Sequence, residues 1–345
     1  PPAGDWRDGD THLDRVVGYS AADDPSYLTG QMGGGEAYDW YYASQADRDA
    51  QVRTPITDTA HGEHWVFRQK DLAGWWNAAH HERPGGVRSA SPTGWSPGMK
   101  PVRLIEIGFP AVDKGGNAPN LFYDPKSSES ALPPYSTGER DDVFQRRALE
   151  AALAFWQAQP FVDQVYVWAW DARPWPDFPV RESVWSDGPN WAYGHWLNGR
   201  TSLISLAETV TDLCARAGVS VDASQLGGLV EGVVTTGPAS LRRILEPFRV
   251  TDGLGMFERA DGLVCVDGSS ISQVNVNTDR LVEPGLTHTR PLLDKRPGRL
   301  QLSYISADGL YSPRVSDARS DLGDTAFSIE AELSLVLSDT VATRL

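Results

Sequence analysis

Glu106 ends the apolar run Pro101-Val102-Arg103-Leu104-Ile105-Glu106-Ile107-Gly108, whose pattern suits a buried strand closed by Gly108-Phe109-Pro110. A carboxylate at the carboxyl end of a parallel strand stands where α/β folds keep their reactive groups. Its natural chemistry is glycoside hydrolysis, which needs a second carboxylate, about 5–5.5 Å away for retention and farther for inversion. Asp171, at the end of Gln164-Val165-Tyr166-Val167-Trp168-Ala169-Trp170-Asp171, is the first candidate partner. Asp39, Asp58 and Asp113 follow, each also readable as a turn residue or an arginine partner. Trp168 and Trp170 offer indole faces for a sugar ring, and Trp95 and Tyr41 extend that set of substrate-binding candidates. The alternative reading of Glu106 is architectural, a carboxylate bonded to an Arg or Tyr in the mouth of the fold.

Other chemistries find little support. Gly33-Gly34-Gly35 does not lie between a strand and a helix, so it does not read as a phosphate loop. His61 and His64 have no third ligand at a matching spacing, His80-His81 ends a predicted helix, and His195 reads as structural. No Gly-x-Ser-x-Gly elbow or catalytic-cysteine pattern occurs. No metal or cofactor is expected. Cys214 falls in an apolar helical pattern as a small buried hydrophobe, and two cysteines are too few for a disulfide scaffold. The net charge of −15 divides as −9 over residues 1–200 and −6 over 201–345, without a basic stripe. Such a chain repels phosphates and is not expected to bind nucleic acid sequence-specifically. No run approaches the ~18 apolar residues of a spanning helix, and no signal peptide is expected. The opening Pro1-Pro2, without Met, suggests a segment of something longer.

The elements that must position these residues fall into two parts. Every tryptophan lies between Trp6 and Trp196. This break predicts a domain over 1–200 and another over 201–345. Residues 1–60 read mostly as loop with an aromatic knot at 38–42, Trp65-Val66-Phe67 as a short buried strand, and 70–81 as a helix. Asp141 to Trp156 forms an amphipathic helix with Val143, Ala148, Leu149, Ala152, Leu153 and Trp156 on one face. With its flanking strands it makes a βαβ unit, so those strands should be parallel. The loops over 109–139 and 171–196 emerge at the functional end, and the first is expected to touch a neighbouring protein. Beyond Gly199 the texture is α+β. A helix from Leu203 to Cys214 is closed by Gly218, and a second starts at Pro238 with Leu241, Ile244 and Leu245. A hairpin turns at Ala260-Asp261-Gly262, and half-buried strands run through Leu300–Tyr304 and Phe327–Leu335.

Several stretches carry a family resemblance. They are Trp95-Ser96-Pro97-Gly98-Met99-Lys100-Pro101, the run from Glu106 to Asn120, Asp124-Pro125-Lys126-Ser127-Ser128-Glu129-Ser130, Trp168-Ala169-Trp170-Asp171-Ala172-Arg173-Pro174 and Gly194-His195-Trp196-Leu197-Asn198-Gly199-Arg200. In this order they resemble the glycoside-hydrolase TIM-barrel-like domain of the large tail protein of gene transfer agents and related phages. Residues 201–345 are similar, more loosely, to the hub-like phage-tail domain that follows it. The family pattern has Cys where Phe109 stands. A full barrel needs eight βα units and about 250 residues. The resemblance therefore implies the carboxyl part of a TIM-barrel-like α/β domain, followed by an α+β hub-like domain, with the acid/base residue falling before Pro1.

The resemblance implies a virion protein of the tail baseplate, assembled in the bacterial cytoplasm and acting outside the cell. Its implied partners are other tail proteins, two further copies in a trimer around the tail axis, and cell-surface glycan. The leading reading is a structural baseplate component that aids envelope attachment, penetration and DNA delivery. The alternative is a retaining tail glycosidase with Glu106 as nucleophile. A third is a sugar-binding barrel without catalysis.

Overall fold

The computed structural model describes all residues except 122, 123, 125, 127, 129, 199–202, 236, 261, 269–296, 308–310 and 321–323, with the side chains of 324–326 also outside the description. The chain forms two compact units, Pro1–Thr201 and Ser202–Leu345. Among the described residues no helix is long and apolar enough to cross a membrane.

Residues 1–60 are more ordered than their loop-like composition predicts. They hold helices α1 (Leu13–Val16), α2 (Pro25–Met32) and α3 (Gln45–Asp49), and an antiparallel pair of strands, β1 (Trp40–Tyr41) and β2 (Thr54–Pro55). Helix α2 starts where Asp24 accepts bonds from the Ser26 and Tyr27 amides, with Pro25 in the first turn. Buried ion pairs do the work that long elements do elsewhere. Arg53 bridges Asp5 (3.2 Å) and Asp14 (3.0 Å), and the Tyr27 hydroxyl donates to Asp14 (3.1 Å).

Trp65-Val66-Phe67 is not a strand. It belongs to a 3-10 turn over His64–Phe67, with Phe67 exposed. Helix α4 (Leu72–Asn77) is also shorter than the predicted 70–81. Asp71 caps its start, and the backbone turns extended at Ala78. The His80 ring then reaches back to the Trp75 carbonyl (2.8 Å), a group that a longer helix would have used.

The strand–helix–strand unit forms as its periodicity predicts. Strand β3 (Val102–Ile107), helix α5 (Asp142–Gln157) and strand β4 (Val162–Val167) follow one another, and the strands pair in parallel from Val102↔Val162 to Ile107↔Val167. Asp141 caps α5 by accepting from the Phe144 amide (2.8 Å). The buried face of α5 is Phe144, Gln145, Ala148, Leu149, Ala151 and Ala152, packed with Leu28 and Met32 of α2 and with Phe109. Strand β4 ends at Val167 rather than Asp171. Beyond Trp168 the chain changes partner: Ala169 and the 195–197 segment exchange backbone bonds, Ala169 N to His195 O (3.0 Å) and Leu197 N to Ala169 O (3.1 Å). A short helix, α6 (Asp177–Val180), lies in the intervening loop. Among the described residues β3–β4 is the single parallel pair of this unit, and no closed barrel is present.

The second unit is α+β. Strand β5 (Ile204–Ser205) leads into α7 (Leu206–Arg216), which opens on a Ser205/Glu208 capping box. Strands β6 (Val221–Gln225), β7 (Leu229–Val230) and β8 (Gly232–Val233) precede α8 (Leu241–Thr251), whose cap is Ser240 rather than Pro238. The predicted hairpin is β9 (Leu254–Arg259) with β10 (Gly262–Asp267); Asp261 of its turn lies outside the described residues. Strands β11 (Pro297–Ser306), β12 (Ser312–Arg319) and β13 (Asp324–Leu337) complete a sheet of order β12-β11-β13-β8, and α9 (Asp339–Arg344) ends the chain. The core joins Leu206, Val210, Cys214, Leu245, Phe248, Cys265, Leu302, Leu333 and Leu335. Burial on β13 begins only at Leu333. Phe327 and Ile329, predicted half-buried, are 46% and 42% exposed.

One side chain ties the ends of the parallel pair together. Gln145 is 1% exposed, and its amide nitrogen donates to the Phe109 carbonyl (2.8 Å) and the Gly194 carbonyl (3.2 Å). Gln145→Ala strands the Phe109 carbonyl in an apolar setting, while Gly194 keeps the Ala111 amide, so unfolding of the first unit should become easier by about 2 kcal/mol. Urea titration of the two proteins measures this.

Candidate functional site

The carboxyl ends of β3 and β4 border a cleft of about 600 Å³. Leu104, Glu106 and Gly108 come from β3 and its exit, Trp168 from the exit of β4, and Ala152 and Trp156 from α5. Gln31 and Met32 of α2, Gln69 and Lys70 before α4, Asn120 of the long loop, and His195 close the rest.

Local backbone geometry sets the Glu106 side chain. Between Leu104↔Val165 and Ile107↔Val167 the register slips, so Ile105 and Glu106 both lie opposite Tyr166. This is a β-bulge, a device that re-aims side chains at sheet ends. Glu106 is exposed into the cleft, and among the described residues its carboxylate takes no hydrogen bond or ion pair. The Arg or Tyr partner of the architectural reading is therefore not there. Gly108 is required by close approach: a Cβ there would sit 2.4 Å from the Trp168 carbonyl oxygen. The His195 ring bonds the Pro119 carbonyl through Nε2 (2.6 Å) and so holds the long loop against the cleft.

The other predicted site residues scatter. Asp171 is gripped by Arg173 (2.6 Å), which also binds Asp187 (2.8 Å), and it does not line the cleft. Arg173 holds the Asp171 carboxyl below the usual carboxylate range. Trp168, 52% exposed, shares the cleft with Glu106. Trp170 is 69% exposed but outside the cleft, as is Tyr41 on β1. Trp95 stacks on His80 (5.0 Å between ring centroids) and tilts against Trp75 (4.7 Å), a separate aromatic cluster. Asp39 accepts from the Gly35 amide, Asp58 from the amides of Ala60, His61 and Glu63, and Asp113 from Lys114 and the Thr137 amide. These three are turn or salt-bridge residues. No group of three or more His, Cys, Asp or Glu is placed to hold a metal among the described residues.

Sequence reasoning missed Lys70. It is only 6% exposed, and its ammonium donates to the carbonyls of Gln31 and Gly34, both at 2.9 Å. Burial lowers its pKa to about 8, against the opposing pull of Glu36 and Asp39. Between Gln69 and Asp71 the residue reads as surface, and no local signal marks it.

A parallel strand pair with a helical crossover and a cleft at its carboxyl ends defines a βαβ unit, as open and barrel α/β folds both contain. The family follows from comparison. The model described as "GTA TIM-barrel-like domain" matches residues 1–179, and the one described as "Putative phage tail protein" matches residues 240–345. The chain belongs to the family of gene transfer agent (GTA) TIM-barrel-like proteins and carries a phage-tail domain after that region. Among solved structures, a chain of "Virion of native gene transfer agent (GTA) particle" is similar at 31% identity and a TM-score of 0.40. That match covers 46% of this chain and 37% of the other, so it spans little more than a third of that chain. No curated protein matches.

Two carboxylates with such different surroundings should respond differently. Glu106→Gln should leave stability within about 0.5 kcal/mol, as for surface changes without partners. Asp171→Asn should destabilise the first unit at neutral pH. Because the Asp171 pKa is depressed in the folded state, its contribution is present above the ordinary carboxylate pKa and is lost as pH falls through the folded value. The gap between Asp171→Asn and the parent protein should therefore close on acidification, which thermal melts from pH 7 down to pH 3 can follow.

Proposed function

We propose that this chain is a structural component of the tail of a phage-like particle, positioned at the baseplate and assembled with other tail proteins in the bacterial cytoplasm. The observation that carries this reading is the presence of two tail-protein modules in one chain. In this reading three copies surround the tail axis, and the cleft of the first unit meets cell-envelope glycan during attachment, penetration and DNA delivery. The cleft suits a sugar. It combines an unpaired carboxylate, amides from Gln31, Gln69 and Asn120, and the indoles of Trp156 and Trp168.

A second reading, retaining glycoside hydrolysis with Glu106 as nucleophile, is favoured by that free carboxylate beside Trp168. Against it, Glu106 is the one Asp or Glu lining the cleft among the described residues, and Asp171 is committed to Arg173. Retaining hydrolysis needs both an acid and a nucleophile. Within the described residues the cleft supplies the nucleophile, and in this second reading the acid comes from the upstream strands that the resemblance places before Pro1; the two modules in one chain favour the architectural reading.

Two measurements test this. Particles from a strain lacking the chain should show incomplete tails by electron microscopy and lose DNA delivery; normal tails would refute the structural role. Purified protein should bind sacculi without releasing reducing ends. Release by the parent protein and loss of about a hundredfold or more in Glu106→Gln would instead establish the glycosidase.

A further inference from the structure

We propose that the cleft prefers a sugar that carries a carboxylate over its neutral counterpart, and that Lys70 is the residue that determines this preference. The inference rests on reading the cleft as a glycan site and deepens it.

Lys70 already has a structural task. Its two carbonyl partners lie at the carboxyl-terminal end of α2, where helical carbonyls lack internal donors. An ammonium has three N–H groups, however, and these carbonyls use two. Among the described residues nothing accepts the third, and Lys70 lines the cleft. A buried cation without a carboxylate in contact is costly. The nearby acids are engaged elsewhere, Glu36 with Arg48 and Asp39 with the Gly35 amide. A ligand carboxylate would supply the missing acceptor through a charge-assisted bond, roughly twice as strong as a neutral one. Glu106 has the complementary deficiency: it accepts only, and it suits the N–H of an N-acyl group or a hydroxyl. A neutral sugar satisfies Glu106 and the indoles but leaves Lys70 incomplete.

The charged groups facing Lys70 are Glu36 and Asp39, and Glu106 lines the same cleft. With its pKa near 8, Lys70 carries its charge below that pH and loses it above. The preference for a carboxylate should follow the same course, since a carboxylic acid stays ionised throughout.

Calorimetric titration of the whole chain with N-acetylmuramic acid and with N-acetylglucosamine tests this, because the two differ by the carboxylate-bearing ether. At pH 6.5 the acid should bind about tenfold tighter, and at pH 9.5 the two should agree within about twofold. Lys70→Met should remove the preference at pH 6.5, and Lys70→Arg, which keeps the charge, should restore it. Should Lys70→Met unfold α2, the pH series on the parent protein decides alone. Equal affinities at pH 6.5, or a preference that persists at pH 9.5, would overturn the proposal and leave the glycan reading standing. Binding of neither sugar would remove both.

Discussion

The Gln145 amide meets two main-chain carbonyls, Phe109 O and Gly194 O, inside an apolar shell that includes Phe109, Phe144 and Ala148. Carbonyls taken from water need a donor, and the buried side-chain amide supplies it here. The consequence reaches past the two bonds. Phe109 begins the exit from β3, and Gly194 precedes the segment that pairs with the exit from β4. One residue on α5 therefore joins the exits of both strands, beside the backbone bonds from Ala111 to Gly194 and from Ala169 to His195. Residues from eight separate stretches of chain line the cleft.

Charge is used in two different ways in the first unit. In residues 1–60, Asp5 and Asp14 are turned inward and both pair with Arg53, which gives order to a segment with little regular structure. In the cleft, Glu106 and Lys70 stay incompletely satisfied. Paired interior charges stabilise a shape only when every partner is present. A group with an unused donor or acceptor at a cleft edge is open to a ligand.

How much of this was legible in the sequence depends on the range of the interactions. The β3–α5–β4 unit could be read because apolar residues recur at strand and helix periods and Asp141 stands at the cap. Glu106 and Trp168 could be placed at one end because parallel strands share a direction. Other features depend on contacts between distant residues. The bulge that aims Glu106 arises from pairing with β4, not from the β3 sequence. Lys70 is buried by the end of α2, some forty residues earlier, and its neighbours in sequence are polar. Trp95 and Tyr41 share the residue type of a sugar platform, yet Trp95 is spent on His80 and Trp75 and Tyr41 sits on β1. Residue type alone could not separate an indole that faces a ligand from one that packs on other rings. In the second unit, periodicity located β13 but not the point along it where burial begins.

The long segment after β3 is pinned at its base by main-chain bonds: Ala111 N to Gly194 O, Asp113 N to Glu139 O and Asp141 N to Ala111 O. Backbone anchors of this kind read no side chain, but the first part of the segment does: Asn117 holds the Trp6 backbone, and Pro119 and Asn120 line the cleft. The base of the segment is therefore a keystone shared by loop and cleft. An engineer grafting a new loop would have to keep residues 111–120 and 139–141 and cut only between them.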